Sequence, residues 1–261
     1  MRRLFKNKSL NTFSTKFWYW HLALPIFLGA LLWLVYPATG LDITLIAPFY
    51  DGSLHQFTLQ HQWLLENIMH KGLKNLMVVI ALALFTLWCL GLSSLQRVTF
   101  VKKLQQKYVW IHTFHSQFLW VFVGMVVTTT VVSILKHYSI HACPWDLAMY
   151  GGDQPLLNLL AALPEGASPG RCLPGGHASG GFALMAFYFA FKDSYIKFAR
   201  IFLAIGLMLG LVMGYAQMMR GAHFMSHNLW TAWVVWMLLL LQYLLWQPKV
   251  NSLKNVSAKK R

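Results

Sequence analysis

Residues 116–135 read SQFLWVFVGMVVTTTVVSIL and contain no charged side chain. The stretch is rich in Val and Thr, which are common in strands. It is nevertheless too long for one strand and has no turn signal, so a helix is the better interpretation. About 20 apolar residues in a helix cross the hydrocarbon core of a bilayer. The stretch therefore predicts a transmembrane helix.

The composition of the whole chain agrees with a membrane environment. Of 261 residues, 57% are hydrophobic and 11% are charged, whereas a soluble domain carries about a quarter charged residues. We predict one integral membrane domain over residues 1–261, an all-α polytopic bundle of about six transmembrane helices. The predicted spans are residues 17–36, 75–92, 116–135, 177–191, 201–219 and 229–246.

The basic residues predict the orientation of the bundle. Most of the 22 Lys and Arg residues precede the first span, follow the last, or lie between spans two and three and spans four and five. The positive-inside rule makes these segments cytoplasmic. All but one of the seven acidic residues fall on the other side. We therefore expect a bacterial inner-membrane protein whose basic ends, residues 1–16 and 247–261, are both cytoplasmic.

The net charge of +15 follows from this topology and from contact with anionic lipid headgroups. No basic segment is combined with a motif that recognises a nucleic-acid groove, so we expect no nucleic-acid partner. The first span resembles a signal peptide in its basic start, but its apolar run is longer than a typical signal core. An uncleaved anchor is the better interpretation.

The segment between spans one and two, residues 37–74, is predicted to be periplasmic. Within it, residues 52–70 place Leu54, Phe57, Leu64, Leu65 and Ile68 near helical spacing. This pattern predicts an amphipathic helix in the membrane interface. Such a helix would pack on the bundle as a lid or guide a lipid substrate, and both interpretations stay open.

Polar residues form three clusters, each at the outer end of a predicted span: KHYSIHACPWD (136–146), GRCLPGGHASGG (170–181) and RGAHFMSH (220–227). Placing an ionisable group at membrane depth costs free energy, so such a group indicates a functional site. A snorkelling Lys or a hydrogen-bonded His would explain any one cluster, but three clusters on one face favour a site. The catalytic helices then lie within residues 116–246.

The residue types in these clusters suit phosphoryl transfer without a metal. Lys136, Arg171 and Arg220 supply positive charge, and Gly175 and Gly176 open a helix whose exposed N–H groups suit an anion. Two neutral imidazoles can act as nucleophile and general acid. We therefore expect no metal and no cofactor.

The clusters resemble, in order and spacing, the three signature motifs of the type-2 phosphatidic acid phosphatase superfamily. The family pattern is K-x6-R-P, then P-S-G-H, then S-R-x5-H-x3-D. The chain has Lys136-x6-Cys143-Pro144, then Pro174-Gly-Gly-His177, then His223-x3-His227. The resemblance implies that His223 is the nucleophile, that His177 is the general acid and that Lys136 binds phosphate.

The chain departs from the family pattern at four positions. His227 stands where the family has an Asp that orients the nucleophile; a neutral His accepts the same hydrogen bond but supplies no negative charge. Gln217 stands at a family Arg, and we expect Arg220, one helical turn later, to replace it. Cys143 stands at another family Arg, whose role Arg171 is a candidate to fill. Gly175 stands at the family Ser.

The resemblance also carries a prediction about the cysteines. If Lys136 and His177 share one phosphate, the backbone at Cys143 and Cys172 must be close. The periplasm is oxidising, so we predict a disulfide between Cys143 and Cys172. Cys89, inside span two, is predicted to stay reduced.

Two classes of function remain open at this stage. The first is an integral lipid phosphatase or phosphotransferase that works through a phosphohistidine at the periplasmic face. The second is a non-catalytic relative that binds or transports lipid; a haem protein is disfavoured because spans two and five contain no His. The expected partners are the bilayer and a membrane lipid phosphate. The sequence does not distinguish among four candidate substrates: polyprenyl diphosphate, phosphatidylglycerol phosphate, phosphatidic acid and lipid A. It does not predict an oligomeric state either.

Overall fold

A computed structural model describes residues 13–250. Most basic residues of the two predicted cytoplasmic ends lie in 1–12 and 251–261, outside the described residues. Within the described part, five helices are long and apolar enough to cross a membrane: Thr15–Leu34, Leu64–Leu90, His115–Tyr138, Ile196–Met219 and Met225–Leu245. The predicted all-α polytopic membrane bundle is confirmed.

Most helices follow one another with short connections, but the long segment 139–175 contains only short 3-10 turns. A π-helical turn at Tyr19–Ala23 joins the first two helices, and another at Leu64–Gly72 leads directly into the helix that begins at Leu73. The helices are α1 Thr15–Trp18, α2 Leu24–Leu34, α3 Leu41–Ile46, α4 Leu73–Gly91, α5 Thr99–Lys107, α6 Val109–Thr113, α7 His115–Tyr138, α8 Gly176–Phe182, α9 Ala186–Phe191, α10 Ile196–Met219 and α11 Met225–Leu245. The strands are β1 Tyr50–Asp51 and β2 Gln56–Phe57.

The fourth predicted span differs from the other five. Residues 176–191 are helical, but a 3-10 turn at Ala183–Met185 separates α8 from α9, and the run is shorter than the five candidate spans. Most of its side chains are buried against α7, α10 and α11. This helix is therefore the centre of the bundle, enclosed by protein.

Small residues let the central helix approach α10 closely. A Cβ added at Gly181 would lie 2.5 Å from the backbone nitrogen of Gly210, so only glycine fits at this crossing. Helix packing in membranes commonly relies on such small residues. Trp120, Phe189 and Tyr243 are among the largest fully buried side chains of the core. The close contact fixes the start of α8, which carries His177.

The amphipathic interfacial helix predicted over residues 52–70 is wrong in its first half. Residues 50–57 form a two-stranded antiparallel hairpin, with Tyr50 opposite Phe57. Helix begins only at Leu64 and continues directly into α4. Of the five predicted apolar positions, Phe57 and Leu65 are buried, whereas Leu54, Leu64 and Ile68 are exposed.

The hairpin packs over the end of the bundle that carries the three polar clusters. Phe57 is 3% exposed and lies against Tyr150 and Gly221. A Cβ at Gly221 would lie 2.3 Å from the Phe57 ring, and the residue has a φ of 75°. Glycine is required there on both counts. The hairpin therefore packs against the loop between α10 and α11.

Candidate active site

His223 lies at the centre of the site, in the loop between α10 and α11, and is 2% exposed. Its Nδ1 lies 3.4 Å from Nδ1 of His227, in the first turn of α11. Burial, reinforced by the neighbouring His227, holds the pKa of His223 well below its ordinary value of 6.5. The ring is therefore neutral near pH 7, as a nucleophilic nitrogen requires.

The contact between the two Nδ1 atoms fixes what each ring can do. One nitrogen must carry the hydrogen and the other must accept it. When His223 donates, its Nε2 keeps a lone pair, and His227 accepts through Nδ1. No hydrogen bond within the described residues uses Nε2 of His223. The geometry therefore fits the predicted role of His227 as the group that orients the nucleophile.

A cleft of about 690 Å³ opens between α4 and α7, and His177 is one of the residues that line it. We call it the α4–α7 cleft. Its polar end is lined by Lys74, Lys136, His137, Arg171, Gly176 and His177. Its deeper walls are apolar and consist of Met77, Val78, Ala81 and Leu82 on α4 and Phe122, Met125 and Val126 on α7.

Three of the predicted site residues meet at the polar end of this cleft. Lys136 is in the last turn of α7, and its Nζ lies 4.0 Å from the position of a Cβ on Gly176. His177 follows in the first turn of α8. Lys136 and His177 also act electrostatically on His223. The structure thus brings Lys136, His177 and His223 into one neighbourhood, close enough to act on one another electrostatically.

Arg171 also lines the polar end of the cleft. It is exposed and has a φ of 52°, which L residues rarely adopt. Its backbone N–H donates to the carbonyl oxygen of Ser139 at 2.9 Å, which holds the loop in this conformation. The residue is therefore placed to contribute a cation to the cleft, as expected for a substitute of the missing motif Arg.

The prediction for Gly175 needs correction. Its N–H donates to the carbonyl oxygen of His227 at 3.1 Å, so it is not free to bind phosphate. Its carbonyl oxygen accepts from the hydroxyl of Thr231 at 3.0 Å. A Cβ at this position would lie 2.7 Å from Oδ1 of Asn228. Gly175 joins the second motif to α11, and Gly176 is the glycine that lines the cleft.

Arg220 is buried behind the cleft at the end of α10. Its Nε donates to the carbonyl oxygen of Gln60 at 2.8 Å, and Nη1 lies 3.3 Å from Oε1 of Gln217. The guanidinium acts electrostatically on His177. Arg220 therefore adds positive charge near the position of the family Arg. The side chain of Gln217, which stands at that position, contacts the Arg220 guanidinium.

The structure joins Cys143 and Cys172 in a disulfide, with Cα atoms 5.1 Å apart. Cys89 is a free thiol. The neighbouring backbone is paired as well: the N–H groups of residues 170–172 donate to the carbonyls of residues 139–141. The sulfur of Cys172 lies 3.2 Å from Nδ1 of His223. The disulfide therefore fixes the first and second motifs against the loop that carries His223.

We expect Cys143 and Cys172 to resist alkylation in denatured membranes prepared without reductant, and to react after reduction. Closing a loop of 29 positions stabilises the fold by roughly 3 to 4 kcal/mol in the chain-entropy model. The C143A/C172A double variant should lose about that free energy of unfolding. Cys89 is the internal control, because it should be alkylated in both samples. Full labelling of Cys143 and Cys172 before reduction would contradict the disulfide.

Asp42 is one residue near the site that the motifs do not indicate. Its carboxylate accepts hydrogen bonds from the backbone N–H and the hydroxyl of Ser226, and from the hydroxyl of Tyr36. A carboxylate at a helix N-terminus satisfies free N–H groups and interacts favourably with the helix dipole. Asp42 therefore anchors the first turn of α11 and, with it, His227.

His70 and Lys74 are the other residues that the sequence reasoning missed. The rings of His70 and His177 are 3.7 Å apart between centroids. Lys74 lines the polar end of the cleft. The sequence pattern that could have indicated them is weak. It consists of a His and a Lys, four residues apart, where the helix of the second span begins.

The comparison with protein-family models agrees with this geometry. The model of the PAP2 superfamily, which is the type-2 phosphatidic acid phosphatase superfamily, matches residues 117–251. The match includes Lys136, His177, His223 and His227. No curated protein and no solved structure matches the chain significantly. The family match covers more than half of the chain, and the chain therefore belongs to the PAP2 superfamily.

Proposed function

We propose that the protein is an integral membrane phosphatase, or phosphotransferase, that removes phosphate from a long-chain lipid. Members of the PAP2 superfamily are generally phosphatase-type hydrolases, which supports the reaction class. The observation that carries the lipid substrate is the two-part α4–α7 cleft. A phosphate at its polar end would face Lys136 and His177, while an apolar chain would extend along α4 and α7.

The first step is an in-line attack on phosphorus. Nε2 of His223 forms the N–P bond, and the bond from phosphorus to the leaving oxygen breaks. His177 would enter this step as the imidazolium, which the charge of a bound phosphate favours. It gives its proton to that oxygen, so the product leaves as a neutral alcohol or as a protonated phosphate. His227 accepts the hydrogen bond from Nδ1 of His223 and keeps Nε2 aimed at phosphorus. Lys136 and Arg171 stabilise the charge that spreads over the equatorial oxygens.

The second step releases phosphate. Water attacks the phosphohistidine, His177 takes a proton from that water, and the N–P bond breaks to return neutral His223. If an acceptor hydroxyl replaces water, the same steps transfer phosphate instead of hydrolysing it. The proposed catalytic groups are therefore His177, His223 and His227, with Lys136, Arg171, Gly176 and Arg220 around the phosphate.

We further propose that the site faces the periplasm of a bacterial inner membrane. The Lys and Arg distribution supports cytoplasmic termini. The disulfide at the same end as the site supports an oxidising compartment there. An inactive lipid-binding or transport relative is the second candidate. It is favoured by Gln217, which stands at a family Arg and has a buried Nε2 without a partner in the described residues.

Purified protein in detergent should release phosphate from a lipid phosphate in the presence of excess EDTA. In the described part of the chain, the one candidate metal grouping is Cys143, Cys172 and His223, and its sulfurs form the disulfide. Lysine and arginine would instead supply the positive charge. The control is a magnesium-dependent phosphatase in the same detergent, which should lose activity. Complete loss with EDTA, restored by magnesium, would refute this mechanism, and no release from any lipid phosphate would favour the inactive relative.

A further inference from the structure

The polar end of the α4–α7 cleft carries more positive charge than one phosphate needs. Lys74, Lys136 and Arg171 line it, and no carboxylate lines it. Arg220 lies just behind and acts on both His70 and His177. The nearby Glu66 is paired with Lys71 at 2.8 Å. A phosphate monoester carries at most about two negative charges.

The order of residues along one helix places Lys74 between the reaction centre and the lipid. Lys74 acts electrostatically on both His70 and His177, and Lys74 and Val78, four residues apart in α4, lie on one face of the helix. His70 contacts His177. Lys74 comes one turn later at the polar end, and Met77 and Val78 begin the apolar wall. A group bound beside Lys74 would therefore lie between the attacked phosphorus and the hydrocarbon chain.

His70 does not line the cleft itself, but it contacts His177, which does, and its side chain has an unused polar atom. Its Nδ1 is buried and has no hydrogen-bond partner in the described residues. Buried polar atoms in native proteins usually have a partner, and an exception calls for an explanation. An anion held beside His70 and Lys74 would accept a hydrogen bond and so provide one.

We propose that His70 and Lys74 form a second phosphate subsite and that the substrate is a lipid diphosphate. This rests on the proposed phosphatase function. His223 would attack the terminal phosphorus, and the bond from that phosphorus to the bridging oxygen would break. His177 would give its proton to the bridging oxygen, which leaves on the lipid monophosphate. Lys74 and His70 would hold the phosphate that stays on the lipid and stabilise its growing charge.

The test compares a lipid diphosphate with the monophosphate of the same chain, in a prenyl series and in a diacylglycerol series. We expect the wild type to release phosphate from diphosphates with a higher kcat/KM than from monophosphates. Lys74→Gln should lower kcat/KM for the diphosphate by about tenfold to a hundredfold, the value of a lost charged hydrogen bond. It should lower the value for the monophosphate less. The series with the larger kcat/KM identifies the chain.

Lys71→Gln is the matched control. Lys71 is on the same helix, three residues earlier, and is exposed and paired with Glu66, so the diphosphate-to-monophosphate ratio should not change. His70→Ala should lower that ratio as Lys74→Gln does. A preference for monophosphate, or an equal loss on both substrates in Lys74→Gln, would overturn the second subsite and leave the phosphatase in place. No hydrolysis of any substrate by the wild type would overturn the phosphatase itself.

Discussion

The His223→Ala variant is expected to release no phosphate above background. His223 is buried, Lys136 and His177 act on it electrostatically, and its Nδ1 contacts His227. Alanine leaves no atom that can form the N–P bond. In enzymes whose catalytic groups act as a unit, loss of the nucleophile costs on the order of 10⁶-fold in kcat. The measurement is phosphate release in detergent, together with an alkaline quench, which preserves the N–P bond, to detect a phosphoryl-enzyme.

Two controls separate chemistry from folding in this variant. His55→Ala removes an exposed histidine from the same end of the bundle, one that contacts Tyr50 and does not line the α4–α7 cleft. It should keep its activity. The wild type should yield an acid-labile, base-stable phosphoryl-enzyme, and His223→Ala should yield none. Near-normal activity in His223→Ala would rule out the phosphohistidine mechanism.

The sequence was sufficient to predict which polar residues of the three clusters lie near one another. Lys136, His177 and His223 each lie at the same end of an apolar run, and three runs that pack side by side bring such ends together. The close position of Cys143 and Cys172 follows from the same reasoning, and the disulfide is present. The motif residues are few, but each lies at the end of a predicted span. The topology predicted from the basic residues places these ends at one membrane face.

The contribution of the second span was not predictable from the motifs. More than a hundred residues separate His70 from His177, and their contact depends on how the helix beginning at Leu64 packs against the start of α8. A hydrophobic pattern identifies a span, but it does not fix the rotation of that span about its own axis. Only packing fixes which of its polar residues face the site.

The error over residues 52–63 has a local cause. The apolar spacing of Leu54 and Phe57 fits a helix, but Asp51 accepts hydrogen bonds from the N–H groups of Ser53 and Leu54. This turn is typical of Asp followed by Gly and Ser, and it closes the hairpin. Turn chemistry therefore overrides periodicity in this segment.

The fourth span shows what hydropathy cannot distinguish. Residues 177–191 are as apolar as a lipid-facing helix, yet Phe182 and Phe189 have no exposed surface. A short apolar run is equally compatible with a buried core helix. The deciding feature is Gly181, whose contact with Gly210 requires the partner helix to be known. The enclosed position makes α8 a rigid support for its first-turn histidine.

His177→Ala is expected to lower the turnover of a lipid phosphate by roughly 10²-fold or more, the usual contribution of a general acid. His177 lies in the first turn of α8, lines the polar end of the cleft and contacts His70. Without it, the leaving oxygen must depart as an anion or take its proton from water. The nucleophile remains, so residual activity should exceed that of His223→Ala.

The leaving group provides the control that distinguishes acid catalysis from a structural role. The p-nitrophenolate ion leaves without a proton, so p-nitrophenyl phosphate does not need a general acid in the first step. The deficit of His177→Ala should therefore shrink in the burst of p-nitrophenolate from that substrate, whereas the deficit of His223→Ala should stay. Phosphoryl-enzyme should also accumulate in His177→Ala, because the same residue activates water in the second step. An equal deficit on both substrates would show that His177 supports the site without donating a proton.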